Sequence, residues 1–508
     1  MDMKRTLASS RLTAELACSV LKSQGLLIAQ SSYTAKDPPR VGELVTDSRL
    51  VHPGDVFLAY RGVHSDGHLH IPMAIERGAQ LVIFETAAHS ANILAKPWLR
   101  VSNAREAWAH LAAAAHGNPE QKLRLFGVTG TNGKTSTVWM LGELLRLAGV
   151  DCLTLGTLGA YFGDEKWPLA HTTPDPDVLF SHLARAVALG LHHVAMEVSS
   201  HALCQGKIAP LHFEGTAFTS FSRDHLDFHH DLDSYWQAKL TLFTRQNQAD
   251  TRHVFAANLP KTIPAAQIKG DILTYREAAG DSATPSELLI RVHRTSASGT
   301  DLTLTLGGQS VTGKVPYFSG HALQNFAAAY LLAAKACGEW LPSTNWDKLR
   351  PVPGRLEQVY KPGGPMVVVD YAHTPDALEK TLAVLRPLCR GRLILVFGCG
   401  GDRDRGKRPL MGDIACRLAD HVFVTSDNPR SEDPQHIIAE ICAGFSRTGS
   451  INQIIDREQA IAAAIKAAGG DDVVLIAGKG HETHQIVHGH FLPFDDRLVA
   501  KRYLGSDI

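Results

Sequence analysis

Net charge is the first thing this chain of 508 residues lacks: 51 lysines and arginines stand against 51 aspartates and glutamates. Without a field of one sign, no chain-wide attraction to nucleic acid or to anionic lipid is expected. Long apolar runs are missing too, none approaching the ~18 residues a membrane span needs. Met1 to Gln30 has no clean apolar core, being interrupted by Arg11, Glu15, Lys22 and Ser23, so a secretory leader is not expected there. Paired cysteines are absent. Cys18, Cys152, Cys204, Cys337, Cys389, Cys399, Cys416 and Cys442 are scattered with no C-x-x-C. That argues against a zinc site or a disulfide framework and for the reduced thiols of a cytosol. No internal repeat or low-complexity tract interrupts the pattern. At ~150 residues per domain, about three ordinary cores are expected. The expectation is a soluble cytoplasmic protein.

What the chain does have is Gly127-Val-Thr-Gly130-Thr131-Asn132-Gly133-Lys134-Thr135-Ser136. The apolar run Leu123 to Val128 predicts a buried strand, and the helical spacing of Val138 to Leu147 predicts a helix. Strand, glycine-rich loop and helix start are the context that makes such a loop a phosphate site. Glycines let backbone N–H groups close around phosphate oxygens, and the helix N-terminus adds partial positive charge. Lys134 would reach the β- and γ-phosphates from a solvent-facing position, and the Thr135 hydroxyl would hold Mg²⁺. The usual G-x-x-x-x-G-K-[ST] spacing is not kept: position 128 is valine, and the glycine comes one residue early.

Upstream, short strands and Pro-Gly turns predict a small α/β domain over residues 1–122, with a helix near Leu12 to Leu21 ended by Pro38-Pro39. It contains Asp47-Ser48-Arg49, which as a bare tripeptide reads as a turn. Residues 123–351 form the second predicted domain. Its strands Val194 to Glu197 and Thr216 to Phe221 run into Ser199 and into Arg223-Asp224-His225. Ligands gather at the carboxyl ends of strands in open parallel sheets, which places Glu197 and His225 near the phosphates and a divalent metal. Thr172 and Thr173 fall in a loop. Tyr235 to Phe243 reads as a helix on which Lys239 stands among apolar neighbours; by pattern alone that is a snorkelling lysine. An alanine-rich helix follows from Gly320 to Cys337.

Pro351-Val-Pro353-Gly354 is a natural boundary, and residues 352–508 read as a second α/β unit. Its strands are Met366 to Val369, Leu393 to Phe397, Val422 to Thr425 and Val473 to Ala477. Each runs into a polar end: Asp370 with His373, Asp402-Arg403, Asp427-Asn428-Pro429-Arg430, and Gly478-Lys479-Gly480-His481-Glu482. Four such ends on one sheet point to one composite site.

Together these residues resemble the Mur ligase family, ATP-dependent amide-forming ligases of peptidoglycan synthesis, from about Asp47 to Arg497. Gly-Thr-Asn-Gly-Lys-Thr is that family's own phosphate loop, which accounts for the shifted glycine. The resemblance implies an α/β protein of three domains: a small N-terminal domain for the UDP end, a central P-loop ATPase-type parallel sheet, and a C-terminal Rossmann-like domain. It implies that Ser48 meets the uridine, and that Thr172, Thr173, Ser199, Gln205 and Lys207 hold the sugar-peptide. Lys207 stands where these enzymes usually have Arg, and His171 where some have Asn. Glu197 and His225 would bind Mg²⁺. Lys239 falls on the family's carbamylated lysine, which replaces the snorkelling reading with that of a carboxylate-like metal ligand. Asn325, Arg355, Asp370 and His373 would contact ATP. Arg403, Asp427, Asn428, Arg430, Gly478 and Glu482 would bind the incoming amino acid. Asp-Asn-Pro-Arg and Gly-Lys-Gly-His-Glu point within the family to diaminopimelate.

The implied chemistry is transfer of the γ-phosphoryl group of ATP to a carboxylate, then attack of an amine on the acyl phosphate. Lys134, His225 and Lys239 are the candidate catalytic residues, ATP and Mg²⁺ the implied cofactors. The implied partners are small molecules, with no nucleic acid, no membrane insertion and a monomeric state. Two alternatives stay open: a sibling ligase adding lysine, and a nucleotide switch that uses the loop for conformational work.

Overall fold

The computed structural model describes residues 12–31, 42–62, 65–85, 97–245, 249–278, 284–318, 320–359, 363–446 and 451–505. The Pro38-Pro39 pair lies outside them. The chain is mixed α/β and divides into two compact units, residues 1–276 with 328–341, and residues 277–327 with 342–508.

The first unit carries two sheets. The smaller has five strands in the order Leu27–Gln30, Trp98–Val101, Leu81–Phe84, Val56–Leu58 and Leu44–Val45. All neighbours are parallel except the first pair. The helix Ala104–Ala115 follows, capped by Asn103, whose side chain accepts from the N–H groups of Arg105 and Glu106. Such a cap contributes about 1 kcal/mol. The larger sheet runs in the order Asp271–Glu277, Arg252–Ala256, Phe213–Phe218, Arg124–Thr129, His193–Glu197 and Cys152–Gly156, all parallel. Two antiparallel strands, Gly159–Phe162 and Glu165–Trp167, extend it. Arg124–Thr129 sits between two parallel neighbours and is buried after its first residue, as a near-continuous apolar run must be. One hydrophobic core runs from Leu12 through Trp108 and Leu111 to Phe218 and Phe243, so the two sheets share their packing.

Sequence patterning placed most of these elements within a few residues. The helix after the phosphate loop is Lys134–Leu147, four residues longer at its start than the apolar spacing predicts. Lys134 to Thr137 contribute its polar first turn, which carries no apolar period. Thr216 to Phe221 shifts to Phe213–Phe218, and Thr219 to Ser222 are left as loop.

The second unit holds an antiparallel meander, Glu287–Ser296, Gly299–Leu306 and Gln309–Val315. It also holds a six-stranded sheet in the order Glu357–Val359, Met366–Asp370, Val473–Ala477, Leu393–Phe397, His421–Val424 and Ile451–Gln453. Only the first pair is antiparallel. The central strands are buried at every position and pack against helices on both faces, forming two apolar clusters. A two-stranded ribbon, His484–Val487 with His490–Pro493, follows the last central strand. Among the described residues no helix is long and apolar enough to cross a membrane.

Candidate active site

The phosphate loop is held open by its neighbours. Gly130 has φ +148°, and a Cβ there would collide with the Thr219 hydroxyl. Glycine is the residue that tolerates both demands. The segment after Phe213–Phe218 braces the loop: Thr131 N–H donates to the Ser220 carbonyl at 2.8 Å, and Asn132 N–H to the Ser220 hydroxyl at 2.9 Å. Lys134 folds back over the loop, its Nζ donating to the carbonyls of Gly130 at 2.8 Å and Thr131 at 2.9 Å. It is half-buried, not solvent-facing as its place at a loop–helix junction predicts.

Lys239 is only 1% exposed and also donates to the Gly130 carbonyl, at 2.9 Å. Its ammonium lies 4.5 Å from the centre of the Tyr235 ring. A snorkelling lysine keeps its head in water; this one does not. Burial first, and the nearby Lys134 charge second, push its pKa well below the ordinary lysine value, with Asp224 opposing. The shift is toward the neutral amine, the form that adds CO₂ to give a carbamate.

Glu197 ends its strand 1% exposed. Its Oε2 accepts from the Thr135 hydroxyl at 3.0 Å and from the Thr157 hydroxyl at 3.3 Å; its Oε1 accepts from the Thr157 N–H at 2.7 Å. A Cβ on Gly156 would run into this carboxylate, so the neighbouring strand has room for it only as glycine. A threonine hydroxyl and one anionic carboxylate beside a phosphate loop are hard oxygen donors. They fit Mg²⁺, which takes one or two carboxylates and fills its other positions with phosphate and water. His225 has a left-handed backbone, φ +52°, and its ring stands 4.9 Å edge-on to His201.

Lys134, Lys239 and His225 line one cavity of about 450 Å³. Thr172, Thr173, Ser199, Gln205 and Lys207 line it as well, as does His171. Thr173 donates to the Glu197 carbonyl at 2.9 Å and accepts from the Ser199 N–H at 2.9 Å, so its loop is pinned to the strand end. Lys207 and His171 meet on one carboxylate: Asp175 lies 2.6 Å from the Lys207 Nζ and 3.8 Å from the His171 Nε2. Ser48 is not among the lining residues; it is buried, with its hydroxyl 3.5 Å from the Met73 sulfur. Sequence reasoning missed one wall of the cavity. Tyr60 stacks on Trp108 at 5.5 Å, and the Arg105 guanidinium lies 5.6 Å from the Tyr60 ring. Arg105 and Trp108 sit three apart on the helix Ala104–Ala115, one face of that helix, but no motif marks them.

In the second unit the strand ends do gather polar groups. Asp370 accepts from the N–H groups of Leu356 at 2.7 Å and Ala372 at 2.8 Å; burial raises its pKa, with Arg355 opposing. The Arg355 guanidinium lies 4.5 Å from the Tyr371 ring. His373 is held by the Tyr371 carbonyl at 2.9 Å, and burial lowers its pKa. Asn325 lies partly buried on the helix His321–Cys337. Arg403 is exposed. Arg430 has a left-handed backbone, φ +54°, and donates to the Gly401 carbonyl at 2.7 Å. Among the described residues, Glu432 pairs with Arg405 and Arg408 and not with Arg430. Asn428 and Glu482 are hydrogen-bonded at 2.8 Å, and Gly478, φ +118°, follows the strand Val473–Ala477.

A parallel α/β sheet whose glycine loop opens on a hydroxyl-lined cavity defines a phosphate-loop protein with an acceptor pocket. Three family models match the chain: "Mur ligase family, catalytic domain" at residues 40–116, "Mur ligase middle domain" at 128–333, and "Mur ligase, glutamate ligase domain" at 354–480. The UDP-N-acetylmuramoyl-L-alanyl-D-glutamate–2,6-diaminopimelate ligase of Pseudomonas putida is 39% identical over 493 residues, covering 94% of this chain and 97% of that protein. A solved structure of a ligase of that name matches at a TM-score of 0.67 and 31% identity, covering 94% of this chain and 97% of the other. The MurF ligase of Thermotoga maritima in complex with ADP shares the fold at a TM-score of 0.57 and 19% identity, covering 91% and 96%. The chain belongs to the Mur ligase family.

Proposed function

We propose that this chain is the ATP-dependent ligase that adds meso-2,6-diaminopimelate to UDP-N-acetylmuramoyl-L-alanyl-D-glutamate, a cytoplasmic step in building peptidoglycan precursor. The observation that carries the reading is the shared cavity. Lys134 and Lys239 of the phosphate site line the same space as Thr172, Thr173, Ser199, Gln205 and Lys207. A nucleotide switch has no use for a second-substrate pocket opening on its phosphate loop; a ligase that phosphorylates a carboxylate requires one.

In this reading the D-glutamyl side-chain carboxylate attacks the γ-phosphorus of ATP, ADP leaves, and the amine of diaminopimelate displaces phosphate from the acyl phosphate. Gly130 to Ser136 hold the phosphates through backbone N–H groups. Lys134 turns from the loop carbonyls to the transferring group, a positioning and electrostatic task. Thr135, Glu197, His225 and Lys239, as its carbamate, would hold Mg²⁺, which would supply positive charge against the phosphoryl oxygens. Carbamylation joins the nitrogen of the neutral Lys239 amine to the carbon of CO₂ and releases one proton, turning a neutral buried group into an anion. Lys207, oriented by Asp175, and the hydroxyls of Thr172, Thr173 and Ser199 hold the sugar-peptide. Ser48 meets the uridine end. Asn325, Arg355, Asp370 and His373 are assigned to ATP, and Arg403, Asp427, Asn428, Arg430, Gly478 and Glu482 to diaminopimelate. The functional domains are residues 1–122, 123–351 and 352–508, in a monomer.

Phosphate release tests this directly. The ligase reading expects release only when ATP, the UDP-linked dipeptide and diaminopimelate are all present. Hydrolysis without any amino acid would return the switch, and equal or better turnover with L-lysine the sibling ligase.

A further inference from the structure

Lys479 was given no role by the sequence motif beyond membership of Gly478-Lys-Gly-His-Glu482, yet its side chain is 0% exposed, an unusual place for an ammonium group. It follows the strand Val473–Ala477 by two residues and turns inward. Its Nζ donates to Asn428 Oδ1 at 3.0 Å and to Glu482 Oε2 at 2.9 Å. The third side of the triangle is closed by Asn428 Nδ2, which donates to the same Glu482 oxygen at 2.8 Å. The ammonium thereby sets the orientation of the Asn428 amide, because the reverse orientation would point an NH₂ at a cation. The correctly turned Oδ1 also accepts from the Ile486 N–H at 2.9 Å, and Gln485 Nε2 donates to the Asp427 carbonyl at 2.6 Å. Arg430 N–H in turn donates to the Ile486 carbonyl at 3.0 Å. One buried cation thus ties the Asp427–Arg430 loop to the Glu482 turn and the ribbon that follows it.

The bonding of Glu482 is one-sided. Both donors fall on Oε2, and Oε1 has no hydrogen bond among the described residues. A carboxylate clamped by one oxygen presents the other in a fixed direction. We propose that Lys479 is a positioning residue for the incoming amino acid: it fixes Glu482 and the Asn428–Arg430 loop, and it offsets one negative charge in a subsite that must accept a zwitterion with two ammonium and two carboxylate groups. This rests on the assignment of that loop to diaminopimelate. Removing the cation leaves the subsite one unit more negative, which favours an amino acid one unit more positive. L-Lysine is that amino acid.

The test is Lys479→Met, with Lys479→Arg as the conservative variant, in the full-length enzyme. For Lys479→Met the KM for diaminopimelate is expected to rise at least tenfold. The preference for diaminopimelate over L-lysine should shrink by a similar factor, with the KM values for ATP and the UDP-linked dipeptide within about twofold of wild type. Lys479→Arg is expected to recover part of the preference. A purely structural lysine would weaken all three substrates together, and that outcome, or an unchanged preference, overturns the proposal. Should Lys479→Met fail to fold, Lys479→Met/Glu482→Gln removes both charges of the pair. The proposal then expects a KM for diaminopimelate no worse than that of Glu482→Gln alone, and a further loss overturns it. Failure of the underlying assignment is seen separately, as wild-type enzyme that does not turn over diaminopimelate.

Discussion

Lys134 and Lys239 donate to the same carbonyl oxygen, that of Gly130, at 2.8 and 2.9 Å. Two amines on one acceptor disfavour a second positive charge: burial first, and the Lys134 charge second, lower the Lys239 pKa well below the ordinary lysine value. In the proposed reading, a carbamate on Lys239 would make the pair complementary.

Lys239→Ala is therefore expected to be nearly inactive while retaining its fold, with partial rescue by a short carboxylic acid that can occupy the space of the carbamate. Intact-mass analysis under CO₂ should show the added mass on the wild type and not on the variant. An unmodified lysine in active, magnesium-loaded enzyme would disprove the role.

Lys134→Ala removes the charge that the proposed reaction aims at the moving phosphoryl group. Loss of one such preorganised donor costs ~3–4 kcal/mol, a fall of ~10²–10³ in kcat. Its carbonyl partners are loop groups at the cradle, so the melting temperature should change little. Near-normal turnover in the folded variant would take the loop out of the mechanism.

Arg430 donates to the Gly401 carbonyl and is not consumed by Glu432. Under the proposed assignment, its guanidinium takes the far carboxylate of diaminopimelate. Arg430→Ala should raise the KM for diaminopimelate by ~30-fold or more, the effect of losing a charge-assisted pair of ~2–5 kcal/mol. The KM values for ATP and the UDP substrate should barely move. Unchanged discrimination against lysine would withdraw the assignment.

His182, on the helix Pro176–Ala188, is a buried histidine whose Nδ1 has no hydrogen-bond partner among the described residues. Burial, then the Arg185 charge, lowers its pKa to about 4. Between about 6.5 and about 4 the unfolded chain binds a proton there that the folded chain does not, so stability falls as pH drops through that window. The loss levels off below it and amounts to at most roughly 3 kcal/mol. His182→Phe should remove that part of the slope in urea unfolding measured at pH 7 and pH 4.5. An identical slope in the variant would show that His182 does not carry it.

The order of elements, the phosphate loop and the polar strand ends were legible in the sequence, because each is written in residues close together: a period of apolar positions, a glycine pair, a Pro-Gly boundary. The strand Leu393–Phe397 was predicted residue for residue. Tertiary structure decided the rest. Lys239 and Gly130 lie 109 positions apart, and the alternatives for that lysine, snorkelling or buried, have the same local pattern. The wall of Tyr60, Arg105 and Trp108 forms because the smaller sheet and its helix share a core with the larger one. The joint hold of Asp175 on Lys207 and His171, and of Lys479 on Asn428 and Glu482, depends on which loops meet at the ends of strands. Local sequence sets a residue's backbone and its chance of burial; which partner it meets there is set by sheet order, and with it the charge state and direction of every side chain that could do chemistry.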